Sequence, residues 1–151
     1  MKNLMRIFAV YVSAICVVCL SGCFSGTTVE MDAEINTTRK TNDGKVFYAV
    51  IRTDSEKDYV RASYESVYKS FLEYKGGNNI FISPVKENTS KTIEVQAGES
   101  ISIYFLFSKP GGKAWKYRIK KLDKDQTYTF YLGENYIKKV EVGRGLLSTL
   151  M

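Results

Sequence analysis

The chain has 151 residues, a formal net charge of +6, three cysteines and no histidine. That is the length of one domain, enough to bury about two-thirds of its unfolded surface. The absence of histidine excludes the imidazole-dependent triads of acyl transfer.

At the amino terminus, Lys2 and Arg6 precede an apolar run from Ile7 to Leu20. The run is shorter than the roughly 20 residues that cross a bilayer and suits a signal-peptide core. It closes on Leu20-Ser21-Gly22-Cys23, the pattern of a bacterial lipoprotein signal. Residues 1–22 are therefore expected to be removed, leaving Cys23 as the acylated first residue and 23–28 as a tether. Cys16 and Cys19 leave with the peptide and Cys23 is consumed by lipid, so no thiol remains for a disulfide, a nucleophile or a metal. One acyl chain anchors marginally and two or three hold firmly, at about 0.8 kcal/mol per buried methylene. Phe24 stands where an aspartate commonly retains a lipoprotein at the inner membrane, which favours the outer membrane and its periplasmic face. Loss of Lys2 and Arg6 leaves a mild positive excess, and an exported chain meets little nucleic acid.

Val29, Met31, Ala33 and Ile35 alternate with Glu30, Asp32, Glu34 and Asn36, the period of a strand with one wet face. Thr38 to Gly44 contains no apolar residue and ends in Asp-Gly, which predicts an exposed loop. Val46 to Arg52 is a second strand whose near-continuous apolar run predicts cover on both faces.

Val60, Tyr64, Val67, Tyr68, Phe71 and Leu72 share one side of a 3.6-residue period and predict a single helix near 56–75. Ser55 with Asp58 resembles a capping box, and Gly76-Gly77 suits a left-handed end. Such an amphipathic stretch fits either a membrane surface or the domain's own sheet. Its mixed-sign polar side and Tyr-rich apolar side point to the sheet.

From Asn79 onward short apolar runs are separated by Gly, Pro, Asn and Asp. Strands are expected over Ile80 to Val85, Thr92 to Val95 and Ile101 to Phe107, the last with Ile101, Ile103, Phe105 and Phe107 on one face. Lys109 to Lys113 reads as a hairpin turn into a strand with Trp115, Tyr117 and Ile119 inward and Lys116, Arg118 and Lys120 outward. Asp123-Lys124-Asp125 then reads as closing a hairpin onto Tyr128, Phe130 and Leu132, and Tyr136 to Val142 completes the set. The fold class is mainly β: a sandwich domain over 29–142 of about seven strands with one helix, and a tail over 143–151.

Neither Asp123 with Asp125 nor any glycine pattern supplies a metal loop or phosphate cradle, so no cofactor is expected and the sequence argues against an enzyme. Lys113, Lys116, Arg118, Lys120, Lys121 and Lys124, with Lys138 and Lys139 on a possible neighbouring strand, form a basic stripe that suits solvation or an anionic partner.

In their order the lipobox, the strand Val46-Phe47-Tyr48-Ala49-Val50-Ile51-Arg52, the helical insertion with Tyr64 and Phe71, Val95-Gln96-Ala97-Gly98-Glu99 and Trp115-Lys116-Tyr117-Arg118 resemble a known family. It is the outer-membrane lipoprotein of the type VI secretion apparatus, called TssJ or SciN. The resemblance implies a transthyretin-like β-sandwich anchored in the outer membrane, a structural link that holds the periplasmic carboxy-terminal region of the inner-membrane protein TssM. It further implies that the loop after the first strand contributes to that contact, here through Arg39, Lys40, Asn42 and Asp43. The competing reading is an envelope lipoprotein that recognises a glycan or other small ligand through exposed aromatics.

Overall fold

The structure, a computed structural model, describes residues 27–74, 77–110 and 114–144. The expected lipid site at Cys23, the Lys109 to Lys113 turn beyond Pro110, Gly76 and residues 145–151 lie outside the described residues.

The alternation of the first strand is realised as β1 (Thr28–Asn36), with Val29, Met31, Ala33 and Ile35 all buried. It pairs antiparallel with β4 (Asn88–Gln96) and parallel with β7 (Gln126–Leu132), and β8 (Ile137–Arg144) completes the sheet in the order β4-β1-β7-β8. The second sheet has the order β3-β2-β5-β6, from β2 (Phe47–Thr53), β3 (Asn78–Ile82), β5 (Ile101–Phe105) and β6 (Lys116–Ile119). The inner faces meet in one core that includes Met31, Ile35, Ile103, Phe105, Leu122 and Phe130. Ile101, Ile103, Phe105 and Phe107 share that core, as their spacing predicts.

The second sheet is also covered outside. Val50, Tyr104 and Leu106 form a second cluster with Val67, Tyr64 and Phe71 of the helical insertion, so both faces are covered along β5 and along Ala49 to Ile51 of β2. The continuous apolar runs in these two strands have this cause.

The insertion departs from the single predicted helix. It is two helices, α1 (Glu56–Arg61) and α2 (Tyr64–Glu73), parted at Ala62 and Ser63, which are extended. Ser63 accepts from Ser66 N at 3.1 Å and donates its own N–H to Ser66 Oγ at 3.1 Å, a reciprocal box that starts a new helix. Periodicity is blind to such a cap, and Val60, counted on the apolar side, is 69% exposed. Ser55 caps α1 as expected, accepting from Asp58 N. α2 ends at Glu73 with Tyr74 extended, before the glycines assigned to that end.

A second correction concerns β6 and β7, which lie in different sheets, so Asp123-Lys124-Asp125 crosses the sandwich rather than closing a hairpin. Leu122, fully buried, plugs the crossing, where its N–H bonds Glu99 O and its carbonyl accepts from Gly98 N. Asp125 Oδ1 accepts from Glu30 N at 2.8 Å and so aligns the start of β7 with β1. Nothing local in the sequence distinguishes a corner of this kind from a hairpin. Strand β8 runs to Arg144, into the segment expected to be tail.

The basic stripe is not one feature. Lys138 and Lys139 sit on β8, in the other sheet from Lys116 and Arg118. Lys116 does not point to solvent: its Nζ donates to Tyr59 O at 2.7 Å and Ala62 O at 2.9 Å, over the Tyr59 ring at 4.7 Å. This cation satisfies carbonyls at the end of α1, and burial lowers its pKa.

Candidate partner interface

β1 enters the sandwich at Thr28, opposite Gln96, and leaves at Asn36, opposite Asn88. Residues 38–44 therefore sit at the pole away from Thr28. They share it with Glu87, whose carbonyl accepts from Thr37 N at 2.8 Å, with Ser108 and with Glu134.

The loop is not uniformly exposed as its composition predicts: Thr41 and Asn42 are 0% and 1% exposed. Thr41 Oγ1 accepts from Thr38 N, which tightens the entry. Asn42, Asp43 and Gly44 then take successive left-handed conformations, with φ of 53°, 55° and +74°. Short polar side chains and glycine tolerate that region best, which accounts for the Asn-Asp-Gly sequence. The Asn42 amide is fully used: Nδ2 donates to Lys45 O at 3.0 Å and Val46 O at 3.3 Å, and Oδ1 accepts from Ser108 N at 2.6 Å. Its backbone N–H donates to Glu134 O. Asn42, expected as a partner contact, is instead a clamp between three connections of the pole.

Arg39, Lys40 and Asp43 are exposed around this clamp. Asp43 pairs with Lys109 at 3.2 Å, while Arg39 and Lys40 make no ion pair among the described residues. The loop is a rigid backbone platform with polar, mostly cationic side chains on its rim.

Beside it lies an apolar surface that includes part of the helix side expected to pack on the sheet. Tyr48 packs on Phe71 of α2 at 4.8 Å between centroids and on Phe81 of β3 at 5.5 Å. Leu72, Phe81 and Tyr68 are 56%, 54% and 45% exposed. One cavity of about 660 Å³ runs from Asn42, Val46 and Ser108 to Tyr68 and Leu72, and another of about 340 Å³ continues it along Tyr48, Phe71, Leu72 and Asn79. Tyr64 anchors the helix side by donating from its hydroxyl to Phe107 O. Burial and the neighbouring Tyr68 raise its pKa.

Elsewhere the polar groups have structural roles. Tyr104 donates to Asp54 Oδ2 at 2.6 Å under α1, and burial, then this bond, raises its pKa well above the usual phenol value. Asp123 pairs with Lys121 at 2.9 Å while Asp125 binds the β1 backbone, so the two carboxylates work apart. Among the described residues no group of three or more His, Cys, Asp or Glu is placed to hold a metal, and no helix is long and apolar enough to cross a membrane.

The family model described as "IglE, N-terminal domain" matches residues 48–132, from β2 through β7 and more than half of the chain. The chain belongs to the IglE N-terminal domain family. The type VI secretion lipoprotein TssJ1 from Pseudomonas aeruginosa shares the fold, with a TM-score of 0.59 and 10% identity over 79% of this chain and 99% of that one. Lip from Serratia marcescens, a membrane-bound component of the type VI secretion system, matches with a TM-score of 0.52 and 9% identity over 80% of this chain and 99% of that one. No curated protein sequence matches. The transthyretin-like sandwich and the resemblance to the type VI secretion lipoprotein family are both borne out.

Proposed function

We propose that this member of the IglE N-terminal domain family is a non-catalytic link in the type VI secretion membrane complex. Residues 1–22 are its signal peptide, and acyl chains on Cys23 hold it in the outer membrane, on the periplasmic face. Its partner is the periplasmic carboxy-terminal region of a TssM-like inner-membrane protein. The family membership supports this reading, and the observation that carries it is the polarity of β1. That strand begins at Thr28, shortly after Cys23, and delivers residues 38–44 to the far pole. A tether at one end leaves the other facing away from lipid, where a protein rooted in the opposite membrane arrives. Arg39, Lys40 and Asp43 are the contacting side chains, and Asn42 holds their backbone in place.

Affinity purification of the full chain from detergent-solubilised envelopes tests this. A TssM-like protein should co-purify, and the combined Arg39→Ala, Lys40→Ala and Asp43→Asn variant should retain less of it at nearly unchanged Tm. Mass spectrometry of the same preparation should find acylated Cys23 as the first residue. Recovery without such a partner sinks the link, and an intact Met1 free of lipid sinks the anchor.

A further inference from the structure

A polar loop without an apolar side chain makes a weak docking site, because binding energy concentrates in desolvated aromatic and aliphatic anchors. The surface beside the loop supplies what the loop lacks. Val46, Tyr48, Tyr68, Phe71 and Leu72 line an apolar groove between α2 and β2, and Phe81 of β3 borders it by packing on Tyr48. Val60, Val85 and Val142 are also exposed, but singly, which is ordinary for a protein surface; contiguity is not. The groove opens at its loop end on Asn42 and Ser108, the two residues that fix the platform.

We infer that this groove receives an apolar segment of the same partner that contacts residues 39–43, an aromatic or aliphatic anchor flanked by acidic side chains. The inference rests on the reading above and extends it. Charge complementarity selects the occupant. Lys45 directly precedes Val46 at the groove mouth, Arg39 and Lys40 stand on the adjoining loop, and none of the three makes an ion pair among the described residues. Of the acids nearby, Asp43 pairs with Lys109 and Glu73 with Lys69, and the two exposed carboxylates left at the pole, Glu87 and Glu134, are outnumbered by these three cations. A second copy of this chain docked through the same face would set these cations against themselves, a like-charge contact that disfavours a symmetric dimer. A lipid surface is disfavoured at the loop end of the groove, which meets the pole away from Thr28. A cavity of several hundred Å³ lined by aromatics accepts one or two large side chains.

Leu72→Ser and Phe81→Ser in the full chain test the groove apart from the loop. Both positions are more than half exposed, so the fold should persist, which Tm checks. Should Phe81→Ser unfold the chain, Leu72→Ser and Tyr68→Ser carry the measurement. The expected result is a loss of partner affinity of about tenfold or more per variant, little changed by added salt. The Arg39→Ala, Lys40→Ala variant should instead lose a part of affinity that salt also removes. Retained binding in the groove variants together with loss in the loop variant overturns the groove and leaves the link standing. Absence of any partner for the unmodified chain overturns both. A homodimer, or adhesion to lipid vesicles, that the groove variants abolish also overturns the proposal by naming a different occupant.

Discussion

Asn42 and Ser108, separated by 66 positions in the chain, are joined by a 2.6 Å hydrogen bond from the Ser108 N–H to the Asn42 amide oxygen. With the Glu134 carbonyl on the Asn42 backbone N–H, this bond makes one residue the shared strut of the connections β1–β2, β5–β6 and β7–β8.

Replacing Asn42 with alanine removes both Nδ2 donors and the Oδ1 acceptor, leaving the Ser108 N–H without its partner and a Cβ-bearing residue in the left-handed region without compensation. A loss of about 2–4 kcal/mol is expected, measured by urea unfolding. Arg39→Ala or Lys40→Ala, on the exposed rim, should stay within about 0.5 kcal/mol of the unmodified protein. Equal losses at all three positions would contradict the clamp.

The break between α1 and α2 is set by Ser63. Ser63→Ala removes one half of the reciprocal cap with Ser66 and should cost about 1 kcal/mol. Amide hydrogen exchange should show faster exchange confined to the first turn of α2. Unchanged protection there would mean that packing of Val67 alone fixes the helix start.

Tyr104 titrates above its ordinary value of 10.0 because it is buried and bonded to Asp54. A pKa higher in the folded than in the unfolded state contributes stability that is complete below pH 10 and is lost as pH rises beyond it. Tyr59, Tyr64 and Tyr128, also raised by burial, act in the same direction. Unfolding free energy should therefore fall as pH climbs past 10. Tyr104→Phe should flatten that fall, and an unaltered slope would remove Tyr104 from the account.

At the corner between β6 and β7, Leu122 is fully buried between the sheets. Leu122→Ala should cost about 2–5 kcal/mol through lost burial and the cavity left behind, read as a lower midpoint in chemical denaturation. A change below about 1 kcal/mol would show that the corner collapses to fill the space.

The strands were largely legible because alternation encodes directly which side chain faces inward, as in β1, and a continuous run encodes cover on both faces, as in β2 and β5. Ser63 was not legible as a break, since a reciprocal cap is two small polar residues inside an otherwise unbroken apolar period. The sheet change at Leu122 was invisible for a different reason: local sequence sets a turn, while the partner strand is chosen by long-range packing. Residues 38–44 lack apolar side chains and yet are not all exposed, because Asn42 is buried through its hydrogen bonds. The groove departs from its composition in the opposite sense. Tyr68, Leu72 and Phe81 carry the chemistry of a core, and only the placement of α2 over β2 leaves them open.

β1 lies between β4 and β7, hydrogen-bonded on both sides along most of its length. Traction applied before Thr28 and after Asn36 runs along that strand's own axis, so its cross-strand bonds are loaded together in shear instead of being peeled one at a time. Pulled between its two poles, a domain threaded in this way has to break those bonds in concert.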